Sequence, residues 1–381
     1  MMTPGKTKTG QLEIFVFGDV HLGHPNTTTP EIIASLFRMI PNTEEYRNLD
    51  FIFIEGDLFD SLLYMNYEFS DNIKLWAIWL VRFCAVNKIA LRVLAGTPSH
   101  DMNQPERLFG PIVESFEGEI DYKFFGTLHL EHHEKTDTTI LYLPDEFITP
   151  IEDAFPMAKK LMYDHGLEQV DLICMHGGFE YQYPANCGIP AHNSELWQTL
   201  VRYWIMIGHV HTSSQCGKIV ASGSIERLKH GEEGPKGATR ITVGENINRA
   251  KFVENKKAKI YKTVECDGKE IDDILADVKI LVKQNPKGSF FRFAGNSDSG
   301  VKHLHSYCAA KYPDYTWSSL ERKDDAAVKS TEVGGVEINF QPINLTKENI
   351  PELVRRELLR QNEDVDSETL ERCMLLLKEA L

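Results

Sequence analysis

The sequence lacks a long apolar run, a cysteine framework and an excess of basic charge. Its most apolar stretch, 75–86, is too short to cross a bilayer and carries Arg82. The seven cysteines are odd in number and scattered, without a C-x-x-C pair, which excludes a disulfide scaffold and reads as free thiols in a reducing compartment. Residues 1–11 are polar and have no apolar core like that of a signal peptide, so a cytoplasmic location without membrane attachment is expected. Lys and Arg number 41 against 56 Asp and Glu, a net charge of −15, which excludes a strongly basic nucleic-acid binder or a polybasic membrane protein at whole-chain level. There are no internal repeats. What is present is ordinary globular composition, 42% hydrophobic and 25% charged, over 381 residues. A chain of that length suggests two or three domains and buries a core large enough to need no covalent staples.

Short β-rich runs end repeatedly in Gly, Asp or His. Residues 14–17 precede Gly18-Asp19, 51–54 precede Glu55-Gly56-Asp57, 91–94 precede Ala95-Gly96, 170–175 precede His176-Gly177, and 203–207 precede Gly208-His209. Continuous apolar runs of this kind predict strands buried on both faces. Between them lie helical patterns: Ile32, Ile33, Leu36, Phe37 and Ile40 follow Thr29-Pro30, and 75–86 reads as a helix packed on a sheet. Alternating strands and helices predict an α/β architecture with ligands at the carboxyl ends of the strands. Residues 221–243 alternate more like β structure. Beyond about Gly244, a Lys-rich connector leads to a strand at 260–264, a helix at 271–282 and a strand at 290–293, a small α+β module. Residues 322–335 read as a polar loop, and 351–381 as two amphipathic helices. Residues 256–381 carry 20 basic and 22 acidic side chains, so nearly all the negative charge lies in the first 255 residues. Bound divalent cations would offset some of it.

Five fragments carry chemistry: Asp19-Val20-His21, Gly56-Asp57, Ser99-His100-Asp101, His176-Gly177 and Gly208-His209-Val210-His211. In extended backbone the D-x-H and H-x-H pairs would each point to one side and converge on a cation. Carboxylates and imidazoles in this mixture suit Mn²⁺, Fe²⁺ or Zn²⁺ better than Ca²⁺. Singly, each fragment is weak: a Gly-Asp is usually a turn, and His132-His133, in a charged stretch, reads as solvated loop. The force lies in their order, each after an apolar run.

That ordered set resembles the calcineurin-like metallophosphoesterases, whose signature is D-x-H, G-D-x-x-D, G-N-H-D, a later H and G-H-x-H; the match spans about 14–243. Within that superfamily it is similar to SbcD-type DNA-repair nucleases and their viral recombination-nuclease relatives. Four features carry this: Asp19-Val20-His21-Leu22-Gly23, Gly56-Asp57-Leu58-Phe59-Asp60, the G-S-I-x-R-L run at Gly223 to Leu228, and Lys236-Gly237. The resemblance implies a four-layer α/β/β/α sandwich over 1–250, a capping domain with its connector over 251–345 and a C-terminal helical segment over 346–381. It implies two divalent ions, Mn²⁺ first with Mg²⁺, Fe²⁺ and Zn²⁺ as alternatives. Asp19, His21 and His211 would hold one, His176 and His209 the other, and Asp57 would bridge. His100 would protonate the leaving oxygen, oriented by Asp101.

One departure stands out. The G-N-H-D element is here Gly96-Thr97-Pro98-Ser99-His100-Asp101, and Ser99, directly before His100, is the expected replacement for the Asn ligand, with water the alternative. The expected activity is metal-dependent DNA cleavage by a nuclease subunit. Other readings are a phosphatase or phosphodiesterase for a nucleotide-sized substrate, or a scaffold that has lost catalysis. Candidate DNA contacts are His24, Arg227, Lys229 and His230, with Arg292 and Lys302 on the second module; a solvated surface role is the alternative for each. The resemblance also implies an SbcC-type coiled-coil ATPase docked on the C-terminal helices, and a homodimer.

Overall fold

A computed structural model describes residues 7–64, 67–145, 151–185, 187–296, 300–322, 331–333 and 336–338, with Arg355 and Arg372. Two compact units are present, Met1–Arg322 and Lys323–Leu381.

The first unit begins with β1 (Leu12–Phe17), α1 (Thr29–Met39), a single turn α2 (Glu44–Arg47), β2 (Phe51–Ile54), α3 (Ser70–Asn87), β3 (Ala90–Leu94), a turn α4 (Pro98–Asp101), α5 (Gln104–Glu114) and β4 (Tyr122–Phe125). It continues with β5 (His129–His133), β6 (Thr138–Leu143), α6 (Ile151–Asp164), β7 (Val170–His176), α7 (Ser194–Gln198), β8 (Val201–Gly208), β9 (Ser214–Cys216), β10 (Ile219–Ala221), β11 (Gly237–Gly244) and β12 (Ile247–Glu254). These strands form two six-stranded mixed sheets, ordered β12-β11-β1-β2-β3-β4 and β5-β6-β7-β8-β10-β9.

The apolar runs are continuous because each central strand is covered twice. On β1, Phe15 and Phe17 face α1, α3 and α5, while Ile14 and Val16 face the second sheet. On β7 and β8, Leu172, Cys174, Trp204 and Met206 meet the first sheet, and Ile173, Met175, Ile205 and Ile207 pack under α6 and α7. The period of two along a strand separates the sets. The result is an α/β/β/α sandwich, as expected. Helix α1 starts at Thr29-Pro30 as expected, and the Glu31 carboxylate accepts the Thr28 N–H at 2.9 Å. His132 and His133 differ from expectation, since they end strand β5, and His133 is buried against Phe51.

The second module comprises β13 (Tyr261–Glu265), α8 (Ile271–Gln284), β14 (Phe290–Gly295), α9 (Val301–Lys311) and β15 (Thr316–Glu321). Its sheet is wholly parallel, ordered β13-β14-β15, so each crossover is a helix and the module is α/β rather than α+β. Phe291, Phe293 and Trp317 form its core with Ile274, Val278 and Leu304. It belongs to the same compact unit as the sandwich. Thr27 Oγ1 donates to Arg227 O at 2.7 Å and lies 3.3 Å from the Tyr261 hydroxyl, and Lys259 spans to Glu31 at 2.9 Å.

In the second unit, β16 (Thr331–Val333) pairs antiparallel with β17 (Val336–Ile338); β16 falls in the stretch 322–335 expected to be loop, and β17 lies just beyond it. The C-terminal helices expected over 346–381 lie outside the described residues, except for Arg355 and Arg372, both helical and exposed. The described cysteines are free thiols, and no described helix is long and apolar enough to cross a membrane.

Candidate metal centre

The five fragments meet at the carboxyl ends of β1, β2, β3, β7 and β8. Two groups of side chains are positioned there to hold a metal ion: Asp19, His21 and His211, and Asp57, His176 and His209. Asp57 joins them, with Oδ1 3.3 Å from His176 Nε2 and Oδ2 3.9 Å from His21 Nε2.

Convergence does not come from extended backbone. Asp19 (φ 47°), His21 (φ 54°), Asp57 (φ 46°) and His209 (φ 107°) all have positive φ, where an L side chain is strained by about 1–3 kcal/mol. The D-x-H pair is thus brought together by left-handed turns after β1, not by strand alternation. These turns are fastened by Val20 N–H to Asp57 O (2.8 Å) and Leu22 N–H to Leu58 O (2.9 Å). Gly56 and Gly96 are required by close approach. A Cβ on Gly56 would lie 2.3 Å from His176 Nδ1, and one on Gly96 would lie 2.0 Å from the Asp57 amide nitrogen.

The tautomers follow from the partners. His21 Nδ1 faces Asp60 Oδ1 at 3.2 Å and His211 Nδ1 faces Glu232 Oε1 at 2.8 Å, so each Nδ1 donates and each Nε2 presents its lone pair. Those two Nε2 atoms are 3.0 Å apart. Likewise His176 Nδ1 donates to Glu55 O at 2.7 Å, which turns its Nε2 lone pair onto the Asp57 carboxylate. Lone pairs aimed at each other and at an anion repel unless a cation lies between them, so the donor set fits divalent metal ions. Electrostatics also call for positive charge between His176 and Asp57. Burial lowers the His176 pKa, but the Asp57 charge and hydrogen bond outweigh it and push it up to about 10, while His176 holds Asp57 well below the usual carboxylate range, so a proton on Nε2 takes the place that a divalent ion would fill.

Further residues complete the pocket. Asp19 is oriented by the His209 N–H, at 2.9 and 3.1 Å from its two oxygens. Lys236, buried, donates to His211 O at 2.7 Å and lies 3.3 Å from Glu232 Oε2, which explains the Lys236-Gly237 element as a brace for His211. The His211 bond and Lys236 hold the Glu232 pKa down, to about 2 despite its burial. Beneath the pocket, Glu55 is fully buried. Its oxygens make no hydrogen bond of normal geometry, because the nearby Ser222 hydroxyl turns to Val16 O and Thr239 Oγ1. Burial, then the charge of Asp19, pushes the Glu55 pKa up to about 8.

The G-T-P-S-H-D segment differs from expectation in two ways. Ser99 lies exposed on α4 and makes no hydrogen bond to any ligand side chain among the described residues, whereas the Thr97 hydroxyl is 3.3 Å from Asp57 Oδ2 and 3.4 Å from both His176 Nε2 and His209 Nδ1. Counted from Gly96 rather than back from His100, Thr97 follows glycine as Asn does in G-N-H-D, and Pro98-Ser99 is the insertion. Asp101 does not orient His100. It accepts the Phe59 and Gly96 N–H groups at 3.0 and 2.8 Å, tying the segment to the Asp57 loop, and burial raises its pKa to about 6. The His100 Nδ1 instead meets the Asp60 carbonyl, with its ring edge-on to His21 at 5.0 Å. Asp60, His21 and His100 form a third candidate metal-holding group. Because Asp60 engages the His21 Nδ1 proton, we read it as a brace for His21.

The candidate DNA contacts do not share one role. Arg227 is spent on backbone: its guanidinium donates to Gly234 O at 3.1 Å and to Lys259 O at 3.0 Å, pinning the connector. His24 Nδ1 accepts the Asn26 and Thr27 N–H groups at 3.2 Å. His230 packs edge-on to Tyr261 at 5.0 Å, and burial lowers its pKa to about 4. Lys302 pairs with Glu321 at 2.6 Å, and Arg292 reaches Thr263 at 3.3 Å. Lys229 alone in this group is exposed without a side-chain partner among the described residues.

No protein-family model matches this sequence, and no curated protein matches it. Solved structures do. One crystal structure shares 10% identity at a TM-score of 0.38, and the crystal structure of TT1561 from Thermus thermophilus shares 10% identity at 0.41; each match covers 65% of this chain and all of the other. Likeness this distant leaves the chemistry to the residues themselves.

Proposed function

We infer that the protein is a metal-dependent phosphoester hydrolase, and that its substrate is DNA. The carrying observation is Asp57, which turns one carboxylate oxygen toward each ligand trio. Asp19, His21 and His211 would hold one divalent ion and His176 with His209 the other. Bound together, two such ions supply Lewis acidity on both sides of an in-line displacement at phosphorus. The chain's own residues do the rest. His21 and His211 are locked as Nε2 donors by Asp60 and Glu232, Asp19 is aimed by the His209 amide, and the four strained residues in the loops after β1, β2 and β8 keep the trios together before substrate arrives. His100 is anchored by Nδ1–H on the Asp60 carbonyl, and in its imidazolium form it would present Nε2–H to the leaving oxygen and become neutral as that proton is transferred. The motif resemblance to SbcD-type nucleases and the appended βαβαβ module support a polymeric substrate, with a coiled-coil ATPase as partner and Mn²⁺ as the first ion to try.

A nucleotide-sized phosphodiester is the second reading. A cleft of about 90 Å³ adjoins His176, with apolar walls at Leu143, Pro144 and Met157 against which the flat face of a nucleobase could pack.

The test is cleavage of single- and double-stranded DNA with Mn²⁺, beside a chromogenic bis-phosphate ester. DNA degradation is the expected result; activity on the ester alone selects the second reading, and inactivity on both defeats the hydrolase. His100→Ala is expected to lower turnover by about 10²–10⁴-fold with metal content intact, checked by elemental analysis of the same preparation.

A further inference from the structure

The two trios are unequally built. In the first, both imidazoles are braced by carboxylates, Asp60 at 3.2 Å and Glu232 at 2.8 Å, and Asp19 adds an anionic donor. Carboxylate bracing fixes ring orientation and raises the basicity of the opposite nitrogen. In the second trio, His176 is braced by a neutral carbonyl, Glu55 O at 2.7 Å, and the other ring nitrogen of His209 has no hydrogen-bond partner among the described residues. Its one carboxylate, Asp57, is shared with the first trio.

Thr97 stands where a further donor to this second group would be. Its hydroxyl is 3.4 Å from both imidazole donors of this group, His176 Nε2 and His209 Nδ1, and 3.3 Å from Asp57 Oδ2, the carboxylate oxygen that faces the first trio. Around an ion bound at about 2.1 Å, neighbouring donors lie roughly 3–3.4 Å apart, from octahedral to tetrahedral geometry, so an oxygen equidistant from both imidazole donors matches an adjacent coordination position. The placement is not incidental. Thr97 N–H is held by Asp57 Oδ1 at 2.6 Å, and Asp101 clamps the preceding Gly96 N–H at 2.8 Å.

We propose that the Thr97 hydroxyl is a ligand of the second cation, and that this cation is the weakly held, exchangeable member of the pair. The inference rests on the two-cation reading of the site. A neutral alcohol beside two imidazoles and a shared carboxylate holds a divalent ion less firmly than the anion-braced first trio. The second ion therefore equilibrates with free metal, and the fully loaded state depends on metal supply.

The experiment is Mn²⁺ binding to the full chain by titration calorimetry, with elemental analysis after dialysis. The wild-type protein should show two classes of site, one tight and one weaker by at least about tenfold. Thr97→Val, which keeps shape and removes the oxygen, should weaken the second class by a further tenfold or more and leave the tight class unchanged. Thr97→Asn should restore two-ion binding, and Ser99→Ala should match wild type. Thermal unfolding without metal checks that Thr97→Val folds, and Thr97→Asn supplies an independent variant. Wild-type affinities for both classes in Thr97→Val overturn the proposal while leaving the two-cation reading intact, as do two equal sites in the wild type. A wild-type chain that binds no Mn²⁺ overturns both.

Discussion

Two buried polar clusters lie in this sandwich, and they are opposites. Near the edge of the sheets, Arg92 forks onto both Glu131 oxygens at 2.8 and 2.9 Å and reaches Asp121 at 2.8 Å. Lys123 and the Tyr142 hydroxyl donate to Glu131, each at 2.7 Å, and His133 meets Asp121 at 2.8 Å. Each of the four carboxylate oxygens there faces a proton, so Glu131 is held down to about 2 despite its burial. At the metal centre the match is incomplete: the His21 and His211 lone pairs face one another at 3.0 Å, and His176 meets Asp57 at 3.3 Å only by taking up an extra proton. Histidine, carboxylate and burial occur in both. What distinguishes a ligand site from a structural ion network is whether its protons and lone pairs already match.

This contrast can be broken or sharpened by experiment. The largest effect is expected at the closed network. Arg92→Ala should lower unfolding free energy by about 3–5 kcal/mol, because Glu131 keeps its charge without its main partner. Chemical denaturation measures this, and Arg92→Met combined with Glu131→Met should recover a substantial part; equal loss in both variants would refute the network's closure. At the open cluster, Glu232→Gln should lower first-site Mn²⁺ affinity about 10–100-fold, since His211 loses its anionic brace. The same change should cost less stability without metal than Arg92→Ala, because Lys236 alone loses its charged partner and keeps its bonds to His211 O and Ser224, and an equal or larger loss would mean that Glu232 is chiefly structural.

The smallest effect concerns a polar group belonging to neither cluster. His192 is buried with Nδ1 unpartnered, and burial lowers its pKa to about 4. The unfolded chain takes up its proton below about pH 6.5 while the native ring stays neutral. The stability associated with the neutral ring is therefore complete above pH 6.5 and is lost as pH falls toward 4. Between pH 7 and pH 5 the wild type should lose roughly 1–2 kcal/mol more than His192→Leu; parallel pH profiles would show that the ring titrates normally.

Much of the centre was legible because its motifs are local. Each ligand follows an apolar strand, and the strand ends of an α/β sheet share one edge. Legibility failed where partners are distant or counting is ambiguous. Glu232 has no sequence relation to His211 except through the turn that carries both Lys236 and Arg227. Thr97 was hidden because a two-residue insertion can be counted from Gly96 or from His100, and the choice depends on which end is clamped to Asp57. His133 read as solvated because Glu131, His132 and Glu134 surround it in sequence, yet strand alternation turns it inward with Glu131.

The amino-acid order alone determined the α/β class, the strand-end positions of Asp19, His21, Asp57, His176, His209 and His211, and the helix starting at Thr29. These depend on hydrophobic period, capping and turn chemistry within a few residues. Tertiary structure alone decided which histidines present lone pairs, that Thr97 rather than Ser99 meets the ligand side chains, and that Asp101 and Arg227 hold backbone. Each of those outcomes is set by a hydrogen bond to a group brought near only when the sheets close on one another.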